Sequence, residues 1–214
     1  MKKLVLFMRK NLKWIIGLVT LILFILIIRS VYKENIMSFD NFYYDYISLL
    51  ISNKMTFFVK IITNLGSAFA LISITILILL ISKNKRYGIL TGINLISIFL
   101  LNLILKLIVA RPRPLNINLI EELGYSFPSA HAMVSTAFYG FLIYLIWQTK
   151  IHKKWKWLYS ILLSILIILI CVTRIYLGVH YASDVFGGAL IAISYLILFA
   201  SIVSKYLPKE KSST

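Results

Sequence analysis

Long apolar runs, broken at short intervals by clusters of Lys, Arg, Pro and Gly, set the pattern of this chain. A membrane helix needs about 20 consecutive, mainly apolar residues. Six runs approach that length, at about Leu12–Val31, Thr56–Ser82, Tyr87–Val109, His131–Gln148, Trp157–Leu177 and Asp184–Tyr206. The pattern predicts an all-α protein: an integral membrane bundle of six transmembrane helices, formed as a single membrane domain over residues 1–214. No Gly/Ser linker, low-complexity tract or repeat divides the sequence.

The segment Lys33–Lys54 differs, because it is polar with interspersed aromatics. Tyr43, Ile47, Leu50 and Ile51 follow helical spacing, and Phe39, Phe42, Tyr43, Tyr44 and Tyr46 are suited to the headgroup level. An interfacial helix with aromatic anchors is expected there. Asn64-Leu65-Gly66-Ser67, inside the second run, is a small-residue patch that permits close helix packing. Asn94 and Asn102, in the third run, are expected to bond across helices.

Composition then sharpens the topology. The chain is 60% hydrophobic and carries a formal net charge of +16. The basic residues cluster at alternate ends of the runs: Lys2, Lys3, Arg9, Lys10 and Lys13; Lys83, Lys85 and Arg86; Lys150, Lys153, Lys154 and Lys156; Lys205, Lys209 and Lys211. Six crossings put all of them on one side. Short loops rich in Lys and Arg stay cytoplasmic, so both termini are expected to be cytoplasmic. The charge therefore implies membrane lipids as partners and no nucleic acid, for which a basic patch interleaved with exposed stacking aromatics would be needed. The basic N-terminus leads into an apolar run but no small-residue cleavage pattern follows Leu23–Ile28, so a retained anchor is expected. Cys171, the sole cysteine, lies in the fifth run and reads as a small buried apolar residue.

Chemistry is concentrated in three stretches at the outer ends of the runs. Lys106 and Arg113-Pro114 flank the end of the third, and Arg111-Pro112-Arg113-Pro114 forces an extended backbone. Lys supplies a point charge and Arg a planar fork of donors, both suited to phosphate oxygens. Pro128-Ser129-Ala130-His131 opens the fourth run. Ser129 fits a helix N-cap, and the free N–H groups of the first turn make an anion site beside His131. Arg174 ends the fifth run, and His180 and Asp184 stand four residues apart at the start of the sixth. A carboxylate on one ring nitrogen fixes the tautomer and leaves the other nitrogen free to attack. Gly178 allows the reversal that brings Arg174 and His180 together. Charged groups beside membrane spans are costly unless used. Cations around a histidine–carboxylate pair describe a site for an anion that is attacked, most simply a phosphate ester.

These stretches resemble the three signature motifs of the type 2 phosphatidic acid phosphatase superfamily. K-x6-R-P matches Lys106 to Pro114. P-S-G-H matches Pro128-Ser129-Ala130-His131, with alanine for glycine. S-R-x5-H-x3-D matches Thr173-Arg174 through His180 to Asp184, with threonine for serine. The resemblance covers a phosphatase core of about residues 56–200. It implies His180 as a nucleophile forming a phosphohistidine, oriented by Asp184, with His131 as the general acid. Lys106, Arg113, Arg174, Ser129 and the Ala130 amide would bind the phosphate. It implies no metal and no cofactor, the cations taking the neutralising role of magnesium. Glu121 and Glu122, with no ligand cluster around them, read as solvated loop residues. The implied activity is hydrolysis of a lipid phosphate or diphosphate at the outer face of the plasma membrane. Undecaprenyl diphosphate, phosphatidylglycerophosphate and phosphatidic acid all fit. Phosphoryl transfer to another acceptor, or lipid transport without chemistry, are the alternatives.

Overall fold

A computed structural model describes residues 2–115 and 117–207, with side chains from Asn11 onward. The side chains of Lys2, Lys3, Arg9 and Lys10, and residues Lys209 and Lys211, lie outside the described residues. Eight helices and no strands are present among the described residues: α1 Lys2–Tyr32, α2 Met37–Ser48, α3 Asn53–Asn64, α4 Ala68–Ile81, α5 Arg86–Val109, α6 Ala130–Trp147, α7 Lys153–Tyr176 and α8 Ala182–Val203. Helices suit these apolar runs because their backbone groups pair within the segment, as hydrocarbon requires. Three starts are marked by hydroxyl caps: Ser52 accepts from Met55 N, Ser67 from Ala70 N and Ser129 from Ala132 N.

Five helices, α1, α5, α6, α7 and α8, are long and apolar enough to cross a membrane, making this a multi-pass membrane protein. The second expected span is divided. Its sequence forms α3 and α4, separated at Leu65, Gly66 and Ser67. The reason is packing. A Cβ on Gly66 would lie 2.8 Å from Ser135 Oγ, 2.8 Å from Ile170 Cγ2 and 3.1 Å from His131 Cδ2, so the break lies directly against α6 and α7.

The centre of the bundle is α6. Over its most apolar window 56% of residues are buried, against 28% or less in the other four. Met133, Val134, Ala137, Phe138 and Tyr139 pack there with Leu71, Ile98, Ile170 and Ala192. Neighbouring α5, α7 and α8 surround it, and α1 lies against α8. This arrangement gathers the ends of α5 and α7 with the starts of α6 and α8. Lys83, Lys85 and Arg86, Lys150 to Lys156, and Lys205 fall at the opposite end.

Asn102 bonds across helices as expected, donating to Met133 Sδ on α6 at 3.4 Å, and also to Pro128 O before that helix at 3.2 Å. Asn94 does not: its amide is buried with no side-chain partner among the described residues. The reversal after α7 is as the sequence requires. Gly178 has φ +68°, and a Cβ there would lie 2.2 Å from Ile117 O. Gly178→Ala should therefore lower unfolding stability by more than about 1 kcal/mol. Thermal unfolding in detergent measures this, and an unchanged midpoint would contradict the turn geometry.

Candidate active site

The α5 helix ends in a left-handed residue, Ala110 at φ +49°. The chain then runs extended through Arg111-Pro112-Arg113-Pro114 across the mouth of the bundle. Lys106, from the last turn of α5, donates to Tyr125 O. Arg113 is fixed by three carbonyls: Nη1 to Val179 O at 2.8 Å, Nη2 to Leu123 O at 3.0 Å and Nε to Gly124 O at 3.0 Å. Its Nη1 also lies 3.2 Å from His180 Nε2.

That contact assigns the tautomer. A guanidinium has donors only, so Nε2 faces it with its lone pair and the ring proton sits on Nδ1. Nδ1 stands 3.5 Å from Asp184 Oδ2, a long contact of the kind that tightens in a bound complex. His180 is 3% exposed and Asp184 fully buried. Burial, then the charges of Arg174, Arg113 and Lys106, push the His180 pKa well below its usual value, so the imidazole is neutral.

Ser129 caps α6, and its N–H donates to Asp184 O at 3.0 Å, tying the start of α6 to that of α8. The Ala130 and His131 N–H groups have no partner among the described residues. His131, partly buried in the first turn, is within electrostatic reach of Arg174, Glu122, His180 and Arg113. Arg174 is 1% exposed. Its Nη1 donates to Thr63 Oγ1 at 2.8 Å, while its Nε has no partner among the described residues.

All eight residues singled out in the sequence thus converge. Glu122 does not follow expectation. Instead of a solvated loop residue, it receives Arg174 Nη2 at 2.5 Å and lies 3.7 Å from Arg113 Nη2. Desolvation opposes its charge, but Arg174, Arg113 and His131 outweigh it and hold the carboxyl below the usual range. Glu121 is exposed, as expected. Among the described residues no group of acidic, His and Cys side chains could hold a metal.

Two further residues were not singled out. Arg111 and Asp40 form a buried pair at 2.7 Å, and Arg111 also holds Asp184 Oδ1 at 2.7 Å. Arg111, the first arginine of the Arg-Pro repeat, was visible as part of that repeat but given no role; its partner on α2 was not. The α2 helix keeps an interfacial character, since Phe39, Phe42 and Tyr46 are exposed, but it also buries Asp40. Tyr43 and Ile47 pack inward, while Leu50 and Ile51 lie beyond the helix and are exposed.

The PAP2 superfamily model matches residues 86–207, more than half of the chain. The chain belongs to the PAP2 superfamily. Its PAP2 relatives include an undecaprenyl-diphosphatase of Sulfolobus acidocaldarius, 31% identical over 88% of this chain and 91% of that one. Phosphatidylglycerophosphatase B of Bacillus subtilis is 37% identical over 42% of this chain, a match spanning only 44% of that enzyme. A crystal structure of a transmembrane PAP2-type phosphatidylglycerolphosphate phosphatase from Bacillus subtilis shares the fold. Its TM-score is 0.83 at 23% identity, covering 91% of this chain and 98% of that one.

Glu122 occupies donors of Arg174 and Arg113, for which an added anion would compete. Glu122→Gln should therefore strengthen inhibition or binding by inorganic phosphate several-fold, by a charge-removal effect of about 1 kcal/mol. Isothermal titration with phosphate checks this, and weaker binding would refute the competition.

Proposed function

We propose that this PAP2 protein is a membrane phosphatase acting on a lipid phosphate or diphosphate through a phosphohistidine. The observation that carries the reading is the His180 Nε2 lone pair directed at Arg113 Nη1, 3.2 Å away, within a cluster of cations. A phosphoryl group held by that cluster meets the nucleophile at once.

The charges suit the ligand. Lys106, Arg113 and Arg174 against Glu122 leave two formal positive charges, the complement of a phosphate monoester near its dianion. Arg174 Nε, the amides of Ala130 and His131, and the Ser129 hydroxyl are the further donors. In the first step His180 Nε2 attacks phosphorus. The new N–P bond forms as the P–O bond to the lipid breaks, and His131, doubly protonated once the anionic substrate offsets the surrounding cations, gives a proton to the departing oxygen and becomes neutral. Asp184 stabilises the resulting imidazolium through Nδ1–H. In the second step His131 takes a proton from water, which attacks phosphorus and releases phosphate and neutral His180. Positioned acid–base groups contribute about 10²–10⁴-fold, and stabilisation of the phosphoryl oxygens usually contributes more. The cations supply the neutralisation that a metal gives elsewhere, so activity persists in excess chelator; loss of turnover restored by magnesium would overturn this.

The same reading places six crossings in the plasma membrane, with α3 and α4 together as the second and both termini cytoplasmic. The site then faces outward, at the level of lipid headgroups. Undecaprenyl diphosphate, phosphatidylglycerophosphate and phosphatidic acid remain the substrate classes. The names of the PAP2 relatives support the first two.

Phosphate release across these three lipids, with His180→Ala as blank, tests the reading. Turnover by wild type and none by His180→Ala is expected; turnover by the variant would remove His180 as nucleophile. Since His180 must be neutral to attack and its pKa is depressed, the acid limb of kcat/KM should fall below the ordinary histidine value of about 6.5. A limb above it would contradict the electrostatics.

A further inference from the structure

Asp184 has no exposed surface and is held from several directions. Tyr181 N donates to Oδ2 at 2.9 Å, and Arg111 Nη1 to Oδ1 at 2.7 Å. Arg111 Nη1 also donates to Ser183 Oγ at 2.7 Å, and Nη2 to Asp40 Oδ2 at 2.7 Å. Asp40, 2% exposed, accepts in addition from Ser183 N at 2.8 Å and Ser183 Oγ at 2.9 Å. The Tyr181 ring lies against the guanidinium, 3.9 Å from centroid to Cζ, and fixes its plane.

We propose that Arg111 and Asp40 are positioning residues for the His180–Asp184 pair, so that α2 completes the active site. This rests on the phosphatase reading above. Two arguments support it. The first is geometric. Arg111 and Arg113 sit either side of Pro112 and grip opposite ends of one unit: Arg113 faces His180 Nε2, and Arg111 holds the carboxylate beyond Nδ1. The stiff Arg-Pro backbone thus sets the distance between the attacking nitrogen and its support. Only a planar fork reaches both carboxylates at once, which a lysine ammonium does not reproduce.

The second is charge. Asp40, Arg111 and Asp184 together carry one formal negative charge. Attack by His180 creates one positive charge on the imidazolium beside them. Removing Asp40 would leave Asp184 neutralised by Arg111 alone and its support of that charge weakened. Removing Arg111 would leave two buried carboxylates facing each other. Among the described residues the Arg111 and Asp40 side chains form no hydrogen bond or ion pair with His180 or with the proposed phosphate donors, so they act through Asp184.

The test uses the full chain in detergent, with Asp40→Asn, Arg111→Gln and Arg111→Lys. Phosphate release from phosphatidic acid in mixed micelles gives kcat and KM. Inhibition by inorganic phosphate reports on Lys106, Arg113 and Arg174, and thermal unfolding reports on the fold. ¹⁵N NMR of the histidines, of which the chain has 3, reports the His180 tautomer without turnover. A displacement of this kind costs about tenfold to a hundredfold in rate. The expected result is that fall in kcat for each variant, with KM and phosphate inhibition within about threefold by the same argument. Arg111→Lys recovers little, and in Arg111→Gln the His180 proton redistributes from Nδ1 toward Nε2. The proposal is overturned by variants with wild-type kcat and tautomer. It is equally overturned if kcat falls only in step with phosphate inhibition, the mark of a structural latch; a lowered unfolding midpoint is expected in either case, because each variant breaks a buried pair. If wild type releases no phosphate from any lipid, the phosphatase reading fails, and the tautomer comparison alone decides the positioning role.

Discussion

A carboxylate with no exposed surface, at the start of a membrane helix, must be compensated or it will not stay ionised. For Asp184 that compensation comes from Arg111 and the Tyr181 amide. Much of the outer end of the bundle follows from this. Arg111 stays buried because two carboxylates receive it, and Asp40 draws α2 onto the start of α8 through Ser183. Breaking a buried pair of this type costs about 3–5 kcal/mol, because the remaining charge is stranded. The aromatic outer helix is thereby part of the site's framework as well as a membrane-surface element.

The site separates its charges into two layers. Next to His180 Nδ1 lies the Asp40–Arg111–Asp184 chain, one charge negative. Next to Nε2 lie Lys106, Arg113, Arg174 and Glu122, two charges positive. An imidazole between these layers is polarised along the line in which a phosphoryl group would be attacked. The arrangement also explains why Glu122 turns inward. Two half-buried or buried guanidiniums need an anion, and a loop carboxylate supplies one. Burial and the surrounding cations keep His180 neutral and therefore nucleophilic.

Features set by local rules were readable from sequence. The Ser129 cap, the Gly178 reversal and the helix-ending Arg-Pro repeat depend on nearby residues, and each has its expected geometry; His180 and Asp184 are also neighbours, but His180 precedes α8 and its Nδ1 stands 3.5 Å from the carboxylate, without the expected hydrogen bond. What escaped depends on distant pairing. Asp40 lies 71 residues from Arg111, and Glu122 lies 52 from Arg174. Nothing in the neighbourhood of either carboxylate distinguishes it from a solvated one. The division of α3 from α4 escaped for a related reason. Hydropathy reads one apolar run, while the break lies where Gly66 comes against His131 and Ser135 across the bundle. Asn94 shows the converse, a polar residue whose helix face is clear but whose neighbours offer its amide no hydrogen bond.

Ala130, standing where the family motif has glycine, can be judged on the same physical grounds. Glycine is required where φ is positive or where a Cβ has no room. Ala130 is the first residue of α6, in ordinary helical backbone, and is partly exposed. Neither requirement applies, so the alanine is compatible with the turn. What the position has to present is an N–H at the positive end of a helix, and alanine presents it unchanged. Its methyl group is the sole addition. Because Ser129 is fixed by its bond to Asp184 O, the methyl alters the space at the start of α6 without moving the N–H groups of that turn.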